Sequence, residues 1–121
     1  MHQITVVSLG PGSPDLLTLG ALKQMKRARH VILRTARHGA AALLAREGIA
    51  FDSLDSLYEQ SLDFDTLTRH AAEHLMDRAS RQALTYAVPD PNRDETVRRL
   101  LALAGGNIRI LPGVALETAM I

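Results

Sequence analysis

The 121-residue sequence predicts an α/β fold: a mainly parallel five-stranded sheet with helices on both faces. Two observations predict it. Short, β-rich apolar runs alternate with stretches of helical period along the chain, and each change of period falls at a glycine, a proline or a capping residue. Strands that alternate with helices need crossover connections, which make the sheet parallel and leave the loops at the carboxyl ends of the strands to form a ligand crevice.

Residues 4–9 are β-rich and mostly apolar, the pattern of a strand covered on both faces, and Gly10-Pro11-Gly12 ends them. Ser13 before Pro14 suits the cap of a single turn, and Thr18 the cap of a longer helix to about Ala28, with Leu19, Leu22 and Met25 at helical spacing. Residues 30–33 read as the second strand. The alanine-rich stretch 40–47 reads as a short helix closed by Gly48, and Ile49 and Phe51 open a brief third strand. From Phe64, the residues Leu67, Ala71, Leu75 and Ala79 repeat every three or four positions, while Arg69, His70, Glu73, His74 and Asp77 take the other side; this is an amphipathic surface helix. Residues 83–88 form the fourth strand, Pro89-Asp90-Pro91-Asn92 ends it, residues 94–104 are helical, and residues 108–111 form the fifth strand after Gly105-Gly106. Residues 116–121 look like a helix just begun, so a truncated domain of a longer parent is the expectation.

Composition narrows the function classes. With 46% apolar and 22% charged residues the chain has the balance of a globular domain, and with no cysteine it has neither a disulfide framework nor a thiolate metal site. A cytoplasmic location follows as the default, since the amino terminus lacks the basic-then-apolar pattern of a secretory signal and no run is long enough for a membrane span. The net charge is +1 with dispersed basic residues, and Phe51, Tyr58, Phe64 and Tyr86 are the only aromatics; neither a phosphate-binding surface nor a base-stacking platform is indicated, and a small-molecule partner fits better than nucleic acid.

Several short patterns invite a chemical reading. Gly10-Pro11-Gly12-Ser13-Pro14-Asp15 follows a strand and precedes a helix, as a dinucleotide fingerprint does, but Asp15 replaces the third glycine and Arg34 stands where an acidic residue would close the second strand. His70-Ala71-Ala72-Glu73-His74 matches a zinc-hydrolase spacing, yet all three polar side chains fall on the solvated side of the helix and no third ligand is evident, so no metal is expected. Arg34, Arg37 and His38 place two guanidinium groups and an imidazole just past the second strand, where an anionic substrate or plain solvent would suit them equally. Thr68 is the one hydroxyl residue close to a histidine and an acid, and helical spacing assigns it to the exposed side. No catalytic residue is identified.

With these loops in view the chain resembles the amino-terminal half of the tetrapyrrole (corrin/porphyrin) methylase domain. The opening stretch from Val7 through Gly10-Pro11-Gly12-Ser13-Pro14-Asp15 to Leu19 carries most of the resemblance. Residues 33–38, Leu57-Tyr58-Glu59, Tyr86-Ala87-Val88-Pro89 and Pro112-Gly113-Val114 are similar to the branch in which the domain precedes a MazG-type nucleoside-triphosphate pyrophosphohydrolase. The resemblance implies S-adenosylmethionine as cofactor, a small or macrocyclic methyl acceptor, a homodimer, and a cleft between this half and a β-rich second half that lies outside residues 1–121. It assigns cofactor contacts to Pro11, Asp90, Pro91, Val114 and Ala115.

Two departures from the family pattern accompany it. Asp90 stands where the pyrophosphohydrolase-fused branch has a glycine in a longer loop, a position at which glycine permits close backbone approach or positive φ. Ala115 stands where a hydroxyl is common. A degenerate cofactor site, or a non-catalytic regulatory or assembly module ahead of a pyrophosphohydrolase, is therefore the alternative expectation.

Overall fold

The computed structural model describes residues 3–114. Five strands, β1 (Ile4–Ser8), β2 (Val31–Leu33), β3 (Asp52–Ser53), β4 (Leu84–Val88) and β5 (Ile108–Ile110), form one sheet in the order β3-β2-β4-β1-β5, and every pairing is parallel. The helices are α1 (Leu19–Arg27), α2 (Ala40–Arg46), α3 (Asp55–Gln60), α4 (Phe64–Ala79) and α5 (Glu95–Ala104).

Alternation along the strands builds two cores. Ile4, Val6, Ile32, Leu84, Tyr86 and Val88 point to one face, where they meet α4 and α5 through Ala71, Leu75, Val97 and Leu100. Val7, Val31, Leu33 and Ala87 point to the other, against Ala21 and Met25 of α1 and Leu44 of α2. Caps start the helices: the Thr18 hydroxyl, as the sequence suggests, accepts from the Ala21 N–H, and the carboxylates of Asp63 and Asp94 accept from the N–H groups of Thr66 and Val97.

Connectivity sets the crevice. From β1 the chain passes by α1 to β2, two positions toward one edge; from β4 it passes by α5 to β5, two positions toward the other edge and on the opposite face. β1 and β4 are neighbours, so their carboxyl ends mark the point where the winding reverses, the place at which open parallel sheets receive ligands.

Two sequence expectations are corrected and one helix is added. The segment 55–60 is a helix, α3, that its sequence hides: it is under two turns long, and its apolar anchors Leu57 and Tyr58 sit beside polar residues without a repeating stripe. The third strand is Asp52–Ser53, with Ile49 and Phe51 packed as the approach to it. Thr68 is buried at 1% exposure, because α5 crosses α4 there and widens the covered stripe; its hydroxyl donates to the Asp65 carbonyl and accepts from Arg99 Nε. Ala115 and residues 116–121, with the helix expected there, lie outside the described residues. Among the described residues no helix is long and apolar enough to cross a membrane.

Candidate functional site

Ser8, the last residue of β1, joins three loops. Its position in the strand is in step with Ile4 and Val6, so its side chain faces the α5 side at the carboxyl end of the sheet. The hydroxyl donates to the Pro89 carbonyl at 3.0 Å and accepts from the Gly10 N–H at 3.1 Å. The loop after β5 rests on the same side chain: a Cβ on Gly113 would stand 2.6 Å from Ser8 Oγ, so only glycine permits that approach. One hydroxyl thus fixes the glycine turn after β1 to the loop after β4, under the loop after β5. Replacing Ser8 with alanine strands a buried N–H and a carbonyl, and unfolding measurements are expected to show a loss of about 1–3 kcal/mol.

The glycine turn is specified by backbone geometry. Gly10 has φ +81°, and a Cβ there would also press to 2.9 Å from the Leu16 carbonyl oxygen, so this position needs glycine on two counts. Pro14–Leu16 then form one 3₁₀ turn capped by Ser13, as the sequence reading has it.

Beside Ser8, between the loops after β4 and β5, lies a cleft of about 250 Å³. Ser8, Asp90, Pro91, Asn92, Gly113 and Val114 are among its lining residues, so the structure brings together three of the five positions assigned from the sequence. Pro11 lies in the adjoining glycine turn and is not among the lining residues; Ala115 is outside the described residues. Ser8 was not singled out by its sequence, although a lone hydroxyl ending an apolar strand just before a glycine turn is a signal that could have found it.

Asp90 adopts φ −145°, extended backbone open to any residue, so no left-handed conformation is demanded of it. Its carboxylate turns back on its own loop: one oxygen accepts from the Asn92 N–H at 3.0 Å and the other lies 3.9 Å from Arg93 Nε. The aspartate therefore caps its own 3₁₀ turn at Pro91–Arg93.

The cationic stretch after β2 is committed internally. Arg34 Nε donates to the Tyr58 hydroxyl at 2.7 Å, its guanidinium carbon lies 5.5 Å from the Tyr58 ring centre, and it stands 3.7 Å from the carboxylate of buried Asp94. Burial works against its charge, but Tyr58 and Asp94 hold Arg34 above its ordinary value. Burial likewise raises the Asp94 carboxyl and the Tyr58 hydroxyl, and lifts the fully covered Tyr86 hydroxyl well above its usual range. Arg37 pairs with Glu59 at 3.4 Å, and His38 bonds to Gly10 and Ala40. The three groups do not form the anion-holding cluster that their spacing allows; they fasten α3, α5 and the glycine turn to the end of β2. His70, Glu73 and His74 are exposed on α4, and among the described residues no group of three or more histidine, cysteine or acidic side chains is placed to hold a metal ion.

Fold and cleft together define an open, parallel α/β protein with a backbone-rich crevice at its topological switch point. Within that class the chain belongs to the tetrapyrrole (corrin/porphyrin) methylase family, whose profile matches residues 3–121. It is 34% identical over 87 residues to YabN, an uncharacterized protein of Bacillus subtilis (strain 168), a match covering 72% of this chain and 18% of YabN. Among solved structures it is similar to the cobalamin-biosynthetic enzyme cobalt precorrin-4 methyltransferase CbiF, with a TM-score of 0.65 and 21% identity over 94% of this chain and 47% of that one. It is also similar to uroporphyrin-III-C-methyltransferase from Thermus thermophilus, with a TM-score of 0.62 and 21% identity over 92% and 47% of the two chains. The chain thus spans about half the length of these structures and under a fifth of YabN.

Proposed function

We propose that the cleft is one wall of an S-adenosylmethionine site and that the domain transfers the methyl group to a small or macrocyclic acceptor. The observation that carries this is the convergence of three loops on Ser8 at the switch point of the sheet, in a family named for methylases. The residues present fit such a ligand in part. A volume of about 250 Å³ falls below the ~300–1,000 Å³ usual for a small-molecule site, and a chain spanning about half of its solved relatives would supply about half of the enclosure. Backbone of the Pro91, Gly113 and Val114 loops would hold the ligand here, with Asp90 at the edge of the cleft and Pro11 and Ala115 as further contacts.

When bound, S-adenosylmethionine supplies an already activated methyl donor, so the protein's task is to hold donor and acceptor in line and keep water away. That task suits loops pinned by one buried hydroxyl, and it needs no nucleophile. An in-chain base is required only for an acceptor that must lose a proton.

Calorimetric titration of the full-length protein with S-adenosylmethionine and S-adenosylhomocysteine tests the reading. Saturable binding at micromolar to low millimolar ligand is expected; no heat at millimolar ligand overturns it.

A second reading has its own observation, the Asp90 carboxylate folded back on its loop. In it the site is degenerate, and the domain serves as a non-catalytic assembly module in a cytoplasmic, homodimeric protein of the MazG-fused branch. Asp90→Gly separates the two. A module that has lost its cofactor only through this residue gains affinity for S-adenosylhomocysteine, whereas a pure assembly module gains none.

A further inference from the structure

The glycine turn that adjoins the cleft through Ser8 is held from outside as well. His38, in the loop between β2 and α2, places its imidazole Nε2 2.9 Å from the Gly10 carbonyl oxygen. The other ring nitrogen, Nδ1, accepts from the Ala40 N–H at 2.9 Å. A neutral imidazole carries one proton, and Nδ1 is an acceptor here, so Nε2 bears the hydrogen and donates it to Gly10. The ring has two separate duties. Nδ1 satisfies an amide at the start of α2, where the capping residue Gly39 has no side chain to do so. Nε2 reaches across 28 residues of sequence to the turn after β1.

A second contact beside it gives the same direction. A Cβ on Gly39 would fall onto the Gly12 carbonyl, 3.3 Å from its carbon and closer still to its oxygen. The loop after β2 therefore buttresses the turn at both of its glycines, Gly10 and Gly12, whose positive φ values leave the turn few local restraints of its own.

We infer that His38 is a positioning residue for the cleft: its Nε2–H holds the Gly10–Gly12 turn in the shape that receives the ligand, while its Nδ1 only caps α2. The inference rests on the proposed reading of the cleft as an S-adenosylmethionine site. Because the two duties belong to two nitrogens, two amide variants divide them. Asparagine puts an acceptor where Nδ1 is but cannot reach Gly10; glutamine carries an N–H at the distance of Nε2.

The test uses the full-length protein with His38→Asn and His38→Gln, and two readouts. The first is hydrogen exchange at the amides of Gly10, Leu16 and Leu17, which bond to Ser8, Ser13 and Pro14 within or beside the turn. The second is calorimetric affinity for S-adenosylhomocysteine. His38→Asn is expected to speed exchange at these amides about tenfold and to weaken binding ~3- to 10-fold, the span of one neutral hydrogen bond. His38→Gln is expected to stay within about twofold of the parent in both, because it restores that bond. Unchanged exchange in His38→Asn, or equal behaviour of the two variants, overturns the inference. So does faster exchange with undiminished affinity, which would mean the turn is held but does not shape the site. If the parent protein itself binds no ligand, the cleft reading has failed and the ligand role of His38 with it, while the exchange comparison still decides whether His38 holds the turn.

Discussion

Asp94→Ala is expected to lower the stability of the protein by about 2 kcal/mol, measured by denaturant unfolding at neutral pH. Asp94 is 8% exposed and does two things at the start of α5. Its Oδ1 accepts from the Val97 N–H at 2.9 Å, and its Oδ2 lies 3.7 Å from Arg34 Nε. Removing the cap costs about 1 kcal/mol. The site is buried, so the Val97 N–H is left without an acceptor, and the loss lies at the upper end of the capping range, about 2 kcal/mol in all. Asp94→Asn keeps an acceptor for Val97 and discards only the charge, so it is expected to cost about 1 kcal/mol or less.

The pH dependence has a defined sign. Burial raises the Asp94 carboxyl above its ordinary value of 3.8, so the folded state keeps this proton to higher pH than the unfolded state does. The stability it contributes is full below the unfolded value and is lost as pH rises through the raised folded one. The stability of the parent relative to Asp94→Asn should therefore fall as pH rises above 3.8. Asp55 and Asp63 act in the opposite sense: hydrogen bonds from Thr35 and from the Thr66 N–H hold their carboxyls low, and their contributions fade as pH drops. A difference profile that rises from acid to neutral pH would contradict the assignment of Asp94.

The order of elements and the parallel sheet were legible because burial on both faces leaves mostly apolar runs such as residues 4–9 and 84–88, and because caps such as Ser13 and Thr18 mark helix starts locally. Long-range partners were not legible. Arg34 looked free because Tyr58 and Asp94, which engage it, are 24 and 60 positions away, and α3, which carries Tyr58, has too few apolar residues to announce itself. Thr68 looked exposed because a hydrophobicity pattern ranks a threonine as polar, while the α4–α5 crossing covers it whatever its polarity. The candidate site divides in the same way. Its glycines and prolines were visible as breakers of the chain, but Ser8 acquires its role only when the ends of β1, β4 and β5 lie side by side.

That convergence makes Gly113→Ala the sharpest test of the cleft. Gly113 is exposed, so no burial argument protects it, and its backbone needs no unusual φ. What excludes a side chain is Ser8: the added methyl would meet its Oγ at 2.6 Å and its Cβ still closer. A hydroxyl can rotate, but a Cβ is fixed by the strand, so the loop after β5 must move off the end of β1. The strand itself stays tethered, since Leu111 donates to the Val6 carbonyl at 2.9 Å. The displacement is then confined to residues 112–114, which line the cleft. A local overpacking of this kind costs about 1 kcal/mol of stability, less than the loss of Asp94, because an exposed loop has room to yield. Ligand binding has no such freedom, as a shift approaching 1 Å in a positioning wall is amplified at the reacting group. Gly113→Ala is therefore expected to weaken S-adenosylhomocysteine binding by about 10- to 100-fold, equivalent to about 1.4–2.8 kcal/mol, while the unfolding midpoint falls by only a few degrees. Calorimetry and thermal unfolding on the same full-length sample separate the two effects. Parent-like affinity in a folded Gly113→Ala protein would show that the loop after β5 is not part of the binding wall.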